Sequence, residues 1–301
     1  MTKNKANLLL FVVAIFWGLG TCMMKLATTA NLSTGLLNAI RGFIFTLLSL
    51  AFFGKRIIRM TKKEFKLALI AGLINTCGFI IQTLGIASTT PAKCGFITAT
   101  YIIFIPIFVF FVYRQKIKIN HLISIVFALI GMAILTGIYR EQSQFNYGDL
   151  LSLISAMFFG LSIAYLGNTA KGIDFSIVAF MLGISLMVVG TIWWLLIEKA
   201  QVGQIVVREA IISVLYLSIV TSFLCQTIQI YAQKYTKAVL AGIILMLEGL
   251  FAMIFSILLG YDELTYDLLI GGAIMMVAFI LAVINFDHRK KRNGREEVIK
   301  T

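Results

Sequence analysis

Charge is scarce in this 301-residue chain: Asp, Glu, Lys and Arg make up 13% of it, against 60% hydrophobic residues and a mean hydropathy of +0.96. That balance excludes an ordinary soluble globule, whose apolar share is nearer half, and makes the bilayer the solvent. Histidine is almost absent. His121 and His288 fall at span ends with no cluster around either, which argues against a metal or haem site. The four cysteines, Cys22, Cys77, Cys94 and Cys225, lie in apolar runs without a Cys-x-x-Cys pair and read as small buried hydrophobes. No Gly-x-x-x-x-Gly-Lys-Ser/Thr run occurs, so a nucleotide loop is missing. The connectors between apolar runs are too short to hide a soluble catalytic domain. These gaps point away from an enzyme and from any bound cofactor.

What the chain does have is apolar runs long enough to cross a hydrocarbon core of about 30 Å as helix. They fall near residues 7–26, 33–53, 66–87, 94–113, 121–139, 148–168, 175–197, 209–232, 238–259 and 267–286. Backbone groups inside lipid must be satisfied within the segment, so the fold class is all-α, with ten transmembrane helices. Lys3 and Lys5 before the first run imitate a signal peptide, but Lys25 interrupts the cleavage region, and the segment has a partner later in the chain.

That partner belongs to an internal repeat. Ala14-Ile15-Phe16-Trp17-Gly18-Leu19 returns as Ala156-Met157-Phe158-Phe159-Gly160-Leu161, and Phe79-Ile80-Ile81-Gln82-Thr83 returns as Phe223-Leu224-Cys225-Gln226-Thr227. Leu129-Ile130-Gly131-Met132-Ala133-Ile134 likewise returns as Leu269-Ile270-Gly271-Gly272-Ala273-Ile274. The spacing predicts two five-helix repeats, residues 1–140 and 141–287, followed by a basic tail, 288–301. Five is odd, so the second repeat enters the membrane upside down relative to the first. Inverted repeats of this kind place a site near the midplane and expose it alternately by rocking one half against the other.

The net charge of +13 would suggest a nucleic-acid partner in a soluble protein; here its distribution sets topology instead. Lys3 and Lys5, the cluster Lys55 to Lys66, then Arg114, Lys116, Lys118, Lys171, Lys234, Lys237 and the six basic residues of the tail share one side. The other side holds Lys93, Arg140, Lys199 and Arg208. Both termini are therefore expected in the cytoplasm of a cell-membrane protein, with the bilayer and a small-molecule solute as its partners and no nucleic acid. The oligomeric state is not legible.

Charges within the spans are costly unless they face protein or water. Lys25 sits at the outer end of the first span, Arg41 about two turns into the second, and Glu248 about ten residues into the ninth, near mid-membrane. One arrangement pairs Glu248 with Arg41 or Lys25 as a structural ion pair, or lets Lys25 snorkel to the headgroups. The other makes Lys25 and Arg41 an electropositive pocket for a carboxylate or phosphate, with Glu248 as counter-charge or proton carrier. In the second repeat Lys25 maps to Gly167 and Arg41 to Gly183, so the scaffold itself does not require these charges. Asn38, Asn75, Gln82, Thr98, Gln226 and Gln229 add neutral polarity, as helix-to-helix bonds or as cavity lining. Gln82 and Gln226 occupy equivalent depths in the two repeats and are the expected lining pair. Trp17 and Tyr101 could stack on a planar solute. Gly18, Gly160, Gly131 and Gly271 read as close-packing positions, and Pro106 as a kink in the fourth span.

Phe16-Trp17-Gly18 with Lys25 and Arg41, the run Thr90-Pro91-Ala92-Lys93-Cys94-Gly95-Phe96-Ile97-Thr98 with Tyr101 and Pro106, Tyr231 to Ala238, and Leu247-Glu248-Gly249 occur in an order that resembles the drug/metabolite transporter superfamily, specifically its ten-helix EamA-type members. Gly249 stands where that family usually has Pro. Arg114-Gln115 replaces its Gly-Glu, and after the ninth span the acid is displaced to Asp262 and Glu263, so no role is carried over for loop carboxylates. The resemblance implies alternating-access transport of small organic solutes, often export of amino acids or other carboxylated metabolites, with Trp17, Lys25, Arg41, Gln82, Tyr101, Gln226 and Glu248 as the candidate solute-binding residues. The alternative is efflux of cationic aromatic drugs with Glu248 as the proton-coupling site. A receptor or intramembrane enzyme on the same fold would need soluble domains or catalytic clusters that the sequence does not show.

Overall fold

The computed structural model describes residues 1–114, 119–136, 146–169, 172–200, 202, 204–236 and 238–283. Among them every regular element is helical. The first three spans are α1 (Lys3–Thr29), α2 (Thr34–Ile57) and α3 (Lys62–Ser88). The fourth is broken into α4 (Pro91–Ala99) and α5 (Tyr101–Tyr113), and the fifth is α6 (Ile119–Thr136). The sixth and seventh are α7 (Tyr147–Thr169) and α8 (Phe175–Leu196). The eighth runs through α9 (Val207–Leu215), a π-helical segment (Tyr216–Cys225) and α10 (Gln226–Gln233). The ninth is broken into α11 (Ala238–Leu245) and α12 (Glu248–Leu258), and the tenth is α13 (Tyr266–Val283). Eight of these are long and apolar enough to cross a membrane, and Leu122–Thr136 and Tyr266–Ala278 are shorter apolar helices completing the ten.

Helix ends lie a few residues from where hydropathy places them, because capping chemistry sets them. α3 starts at Lys62 because Thr61 and Glu64 form a capping box: the Thr61 hydroxyl accepts from the Glu64 N–H at 3.2 Å, and the Glu64 carboxylate accepts from the Thr61 N–H at 2.9 Å. α4 starts with Pro91, whose missing N–H costs nothing there.

The helix contacts obey a two-fold rule. α2 packs on α8, α4 on α12 and α6 on α13, so three spans meet their own repeat counterparts. The larger of the remaining contacts come in matched pairs. α1 on α12 is answered by α7 on α4 and α5; α3 on α7 is answered by α1 on the eighth span; α3 on α8 is answered by α2 on the π-helical segment. With five spans per half, that relation is an inverted repeat.

Small residues bring these helices together. Gly35, Gly42, Gly183 and Gly190 form a ladder along the antiparallel crossing of α2 and α8, facing Trp194, Met187, Thr46 and Ala39 respectively. A Cβ on Gly42 would lie 2.1 Å from the Met187 backbone nitrogen. Gly131 and Gly271 pack α6 on α13, and Gly18 and Gly160 do the same at the matched contacts against Phe251 and Phe104.

One local expectation needs correction. Cys22, Cys94 and Cys225 are buried, but Cys77 is exposed, because it lies on the face of α3 turned away from the packed helices. The fourth span is interrupted at Thr100, and Pro106 lies inside α5. His288 lies outside the described residues.

Gly42→Ala should lower the thermal unfolding temperature in detergent by the equivalent of about 1–3 kcal/mol of overpacking. Gly54→Ala, at a position with nothing within 4 Å, should leave it unchanged or slightly raised. Equal effects of the two would contradict the close crossing.

Candidate functional site

Between the halves lies a cavity lined by side chains of both repeats. The first repeat contributes Trp17, Thr21 and Met24 from α1, Arg41 from α2, Asn75, Phe79 and Gln82 from α3, and Thr98 and Tyr101 from the broken fourth span. The second contributes Phe159 and Ile163 from α7, Leu217, Thr221, Gln226 and Gln229 from the eighth span, and Glu248 from α12. Toward the end of the bundle away from the chain termini, buried Leu37, Ile86, Cys94 and Val214 close over Met24 and Leu217.

Arg41 is fully buried, and its partners are all neutral. Its Nε and Nη2 donate to Ser222 Oγ at 3.3 and 3.1 Å, Nη1 to Asn38 Oδ1 at 3.3 Å, and Nη2 to Thr221 Oγ1 at 3.5 Å. The guanidinium carbon lies 4.6 Å from the centre of the Phe79 ring, a cation–π contact. Ser222 and Thr221 sit on the π-helical segment, a geometry frequent at functional sites. The Thr221 carbonyl also accepts from Trp17 Nε1 at 3.2 Å. One turn of the second repeat thus holds two cavity residues of the first.

Glu248 opens α12 directly after the break in the ninth span, where the N–H groups of a helix start favour a negative charge. It is buried and has no hydrogen bond or ion pair among the described residues. The ion pairs found there join Arg56 to Glu64 and, at 3.4 Å, Arg56 to Asp174. Neither the Arg41–Glu248 nor the Lys25–Glu248 bridge that the sequence allows is formed. The cavity therefore holds a basic and an acidic side chain, neither with an oppositely charged partner among the described residues. Its lining also includes the Tyr101 hydroxyl and Gln226 Oε1, both buried without a hydrogen-bond partner among the described residues. The symmetric counterpart Gln82 donates to Thr98 Oγ1 at 3.3 Å.

The structure brings Trp17, Arg41, Gln82, Tyr101, Gln226 and Glu248 together in this one cavity and leaves Lys25 out of its lining. The Lys25 ammonium instead donates to the carbonyls of Ile86, Ala87 and Thr89 at 3.0, 3.1 and 2.8 Å, capping the end of α3. Asn75 lines the cavity and also donates to Ser162 at 3.4 Å across the halves, so it does both jobs considered for it. Phe79 and Phe159 stand within the repeat anchors. The π-helical register that aims Thr221 and Ser222 has no signature in the sequence.

A cavity with buried polar side chains between two inverted five-helix units of a membrane protein is the arrangement of a solute transporter. The profile of the EamA-like transporter family matches the chain twice, over residues 4–137 and 146–284, and the chain belongs to that family. It is 29% identical to an uncharacterized transporter of Archaeoglobus fulgidus over 277 residues, 92% of this chain and 85% of that protein. It is 20% identical to the uncharacterized transporter YoaV of Bacillus subtilis over 295 residues, 95% of this chain and 99% of the relative. A solved crystal structure, 17% identical, shares the fold with a TM-score of 0.65 over 93% of this chain and 96% of its own.

Lys25→Ala should lower the unfolding temperature by the equivalent of about 1–3 kcal/mol, because three carbonyls lose a charged donor. The KM for transported solute should stay at its wild-type value. An unchanged unfolding temperature with a raised KM would move Lys25 into the binding site.

Proposed function

We propose that the chain exports small carboxylated metabolites, amino acids foremost, across the cell membrane by alternating access. The observation that carries this reading is the pair of buried, mutually unbridged basic and acidic side chains, Arg41 and Glu248, in one cavity. A zwitterionic solute offers each of them the partner it lacks: its carboxylate meets the guanidinium, and its ammonium meets the carboxylate. Phe79, Phe159, Ile163 and Leu217 supply an apolar wall for the rest of the solute. A cationic drug would have Glu248 to bind, but it would also enter the field of an Arg41 that no carboxylate neutralises, which disfavours the drug-efflux alternative.

The basic clusters on the side of the termini support a cytoplasmic location for both ends. Export is the direction the family resemblance implies. In this reading Arg41 fixes the solute's orientation, while Glu248 balances its charge or carries a proton in exchange.

Counterflow in proteoliposomes, with labelled amino acids, organic acids, nucleosides and cationic dyes, tests the proposal. Uptake of an amino acid is expected, and Arg41→Gln should reduce it about a hundredfold, the scale of a buried charged hydrogen bond worth ~3 kcal/mol. Uptake restricted to dyes and abolished by Glu248→Gln would overturn it.

A further inference from the structure

Both ends of the bundle carry polar contacts between the halves, and the seam between α1 and α10 is also packed over unpartnered amides. At the end away from the termini the contacts between halves are hydrogen-bonded. The Glu198 carboxylate accepts from Gly35 N at 3.0 and 3.1 Å, Asn31 Nδ2 donates to Gln204 O at 2.9 Å, and Val206 N donates to Ala30 O at 3.2 Å. Asp262 accepts from Ala92 N at 3.1 Å and from the Ser256 hydroxyl, and Asp149 accepts from the Thr89 hydroxyl.

At the other end Arg56 pairs with Asp174 and the Tyr165 hydroxyl donates to the Leu67 carbonyl at 3.2 Å across the halves, and beside them the seam between α1 and α10 is packed over orphaned polar groups. Gln226, Gln229 and Gln233 recur at the spacing of one helical face on α10. The first two line the cavity, and Gln233 lies one turn beyond, toward the end that carries the termini. Gln233 is 3% exposed, and neither its Oε1 nor its Nε2 has a partner among the described residues. Thr236 Oγ1, Thr227 Oγ1 and Asn7 Oδ1 share that condition. The eighth span runs antiparallel to α1, with Val206 bonded to Ala30 and Thr221 to Trp17, so Asn7 lies level with Gln229 to Gln233. Ala6, Leu10 and Ala232 are fully buried there, so the seam is shut.

Unsatisfied amides at such depth are costly, and packed protein could have avoided the cost with leucine. Water or a polar solute would satisfy all of these groups at once. We propose that the glutamine face of α10 is one wall of the solute passage between the cavity and the termini-side surface, and that this passage opens by parting α10 from α1. The inference requires only that the chain transports a polar solute. It does not depend on which one.

Water access along this face can be read without knowing the solute. In nanodiscs, with the four native cysteines replaced by alanine, Gln233→Cys and Asn7→Cys are each exposed to the anionic thiol reagent sulfonatoethyl methanethiosulfonate, with lipid-facing Leu224→Cys as the reference. Both passage positions should react about tenfold faster than the reference or more, since only a hydrated thiol ionises to the reactive thiolate. Rates equal to the reference at both positions would overturn the proposal. Gln233→Leu, which removes the orphaned amide, should raise the unfolding temperature and slow labelling at Asn7→Cys. A lowered unfolding temperature would show that the amide is satisfied in the closed seam and would overturn the proposal equally. Failure here leaves the amino-acid reading standing, and failure of counterflow leaves this one standing.

Discussion

A guanidinium taken out of water into a bilayer costs at least about 2.5–3.5 kcal/mol if nothing receives it. Arg41 is received without being neutralised. Its acceptors are hydroxyls and an amide oxygen, and its flat face is covered by Phe79. Asn38 and Phe79 belong to the first repeat and Ser222 and Thr221 to the second, so the charge is satisfied only when the halves are joined. The close crossing of α2 and α8 beside it keeps α2 fixed: Gly42, the next residue, allows no side chain against the Met187 backbone. The cavity, the orientation of Trp17 and the contact with the π-helical segment all follow from holding this cation in place while leaving its charge uncompensated.

The two-fold scaffold is built from matched contacts, and function resides in its departures from symmetry. Arg41 maps to Gly183 in the repeat alignment, the continuous α3 answers an eighth span with ten π-helical residues, and the two counterpart broken spans resume with different chemistry, Tyr101 in one and Glu248 in the other. Broken helices near mid-membrane are tolerated only where the freed backbone faces protein or a cavity. The amide of Gln233 goes unbonded in the seam between α1 and α10, although Arg56–Asp174 and Tyr165–Leu67 join the halves at the same end.

The acidic residues after the ninth span illustrate how local reading misleads. Their displacement from the family's usual position suggested that they had nothing to do, yet Asp262 ties the start of α4 to the end of α12. Lys25 shows the converse: its charge within an apolar run suggested a solute site, and the structure uses it to cap α3. A charge in a span must find a partner, and the sequence records the need without saying which partner meets it.

Composition and periodicity by themselves determined that the chain is a ten-span helical membrane protein with a duplicated, inverted plan, because hydrocarbon admits no other backbone and an odd number of spans reverses the second copy. They also isolated Arg41, Glu248, Gln82 and Gln226, since polar side chains in apolar runs are visible one residue at a time. Tertiary structure alone decided that Arg41 and Glu248 share a cavity without touching, that Thr221 and Ser222 hold the guanidinium, and that Gln233 is shut away without a partner. Those facts depend on distances between segments some 200 residues apart and on a helical register, and neither is encoded in any single stretch of chain.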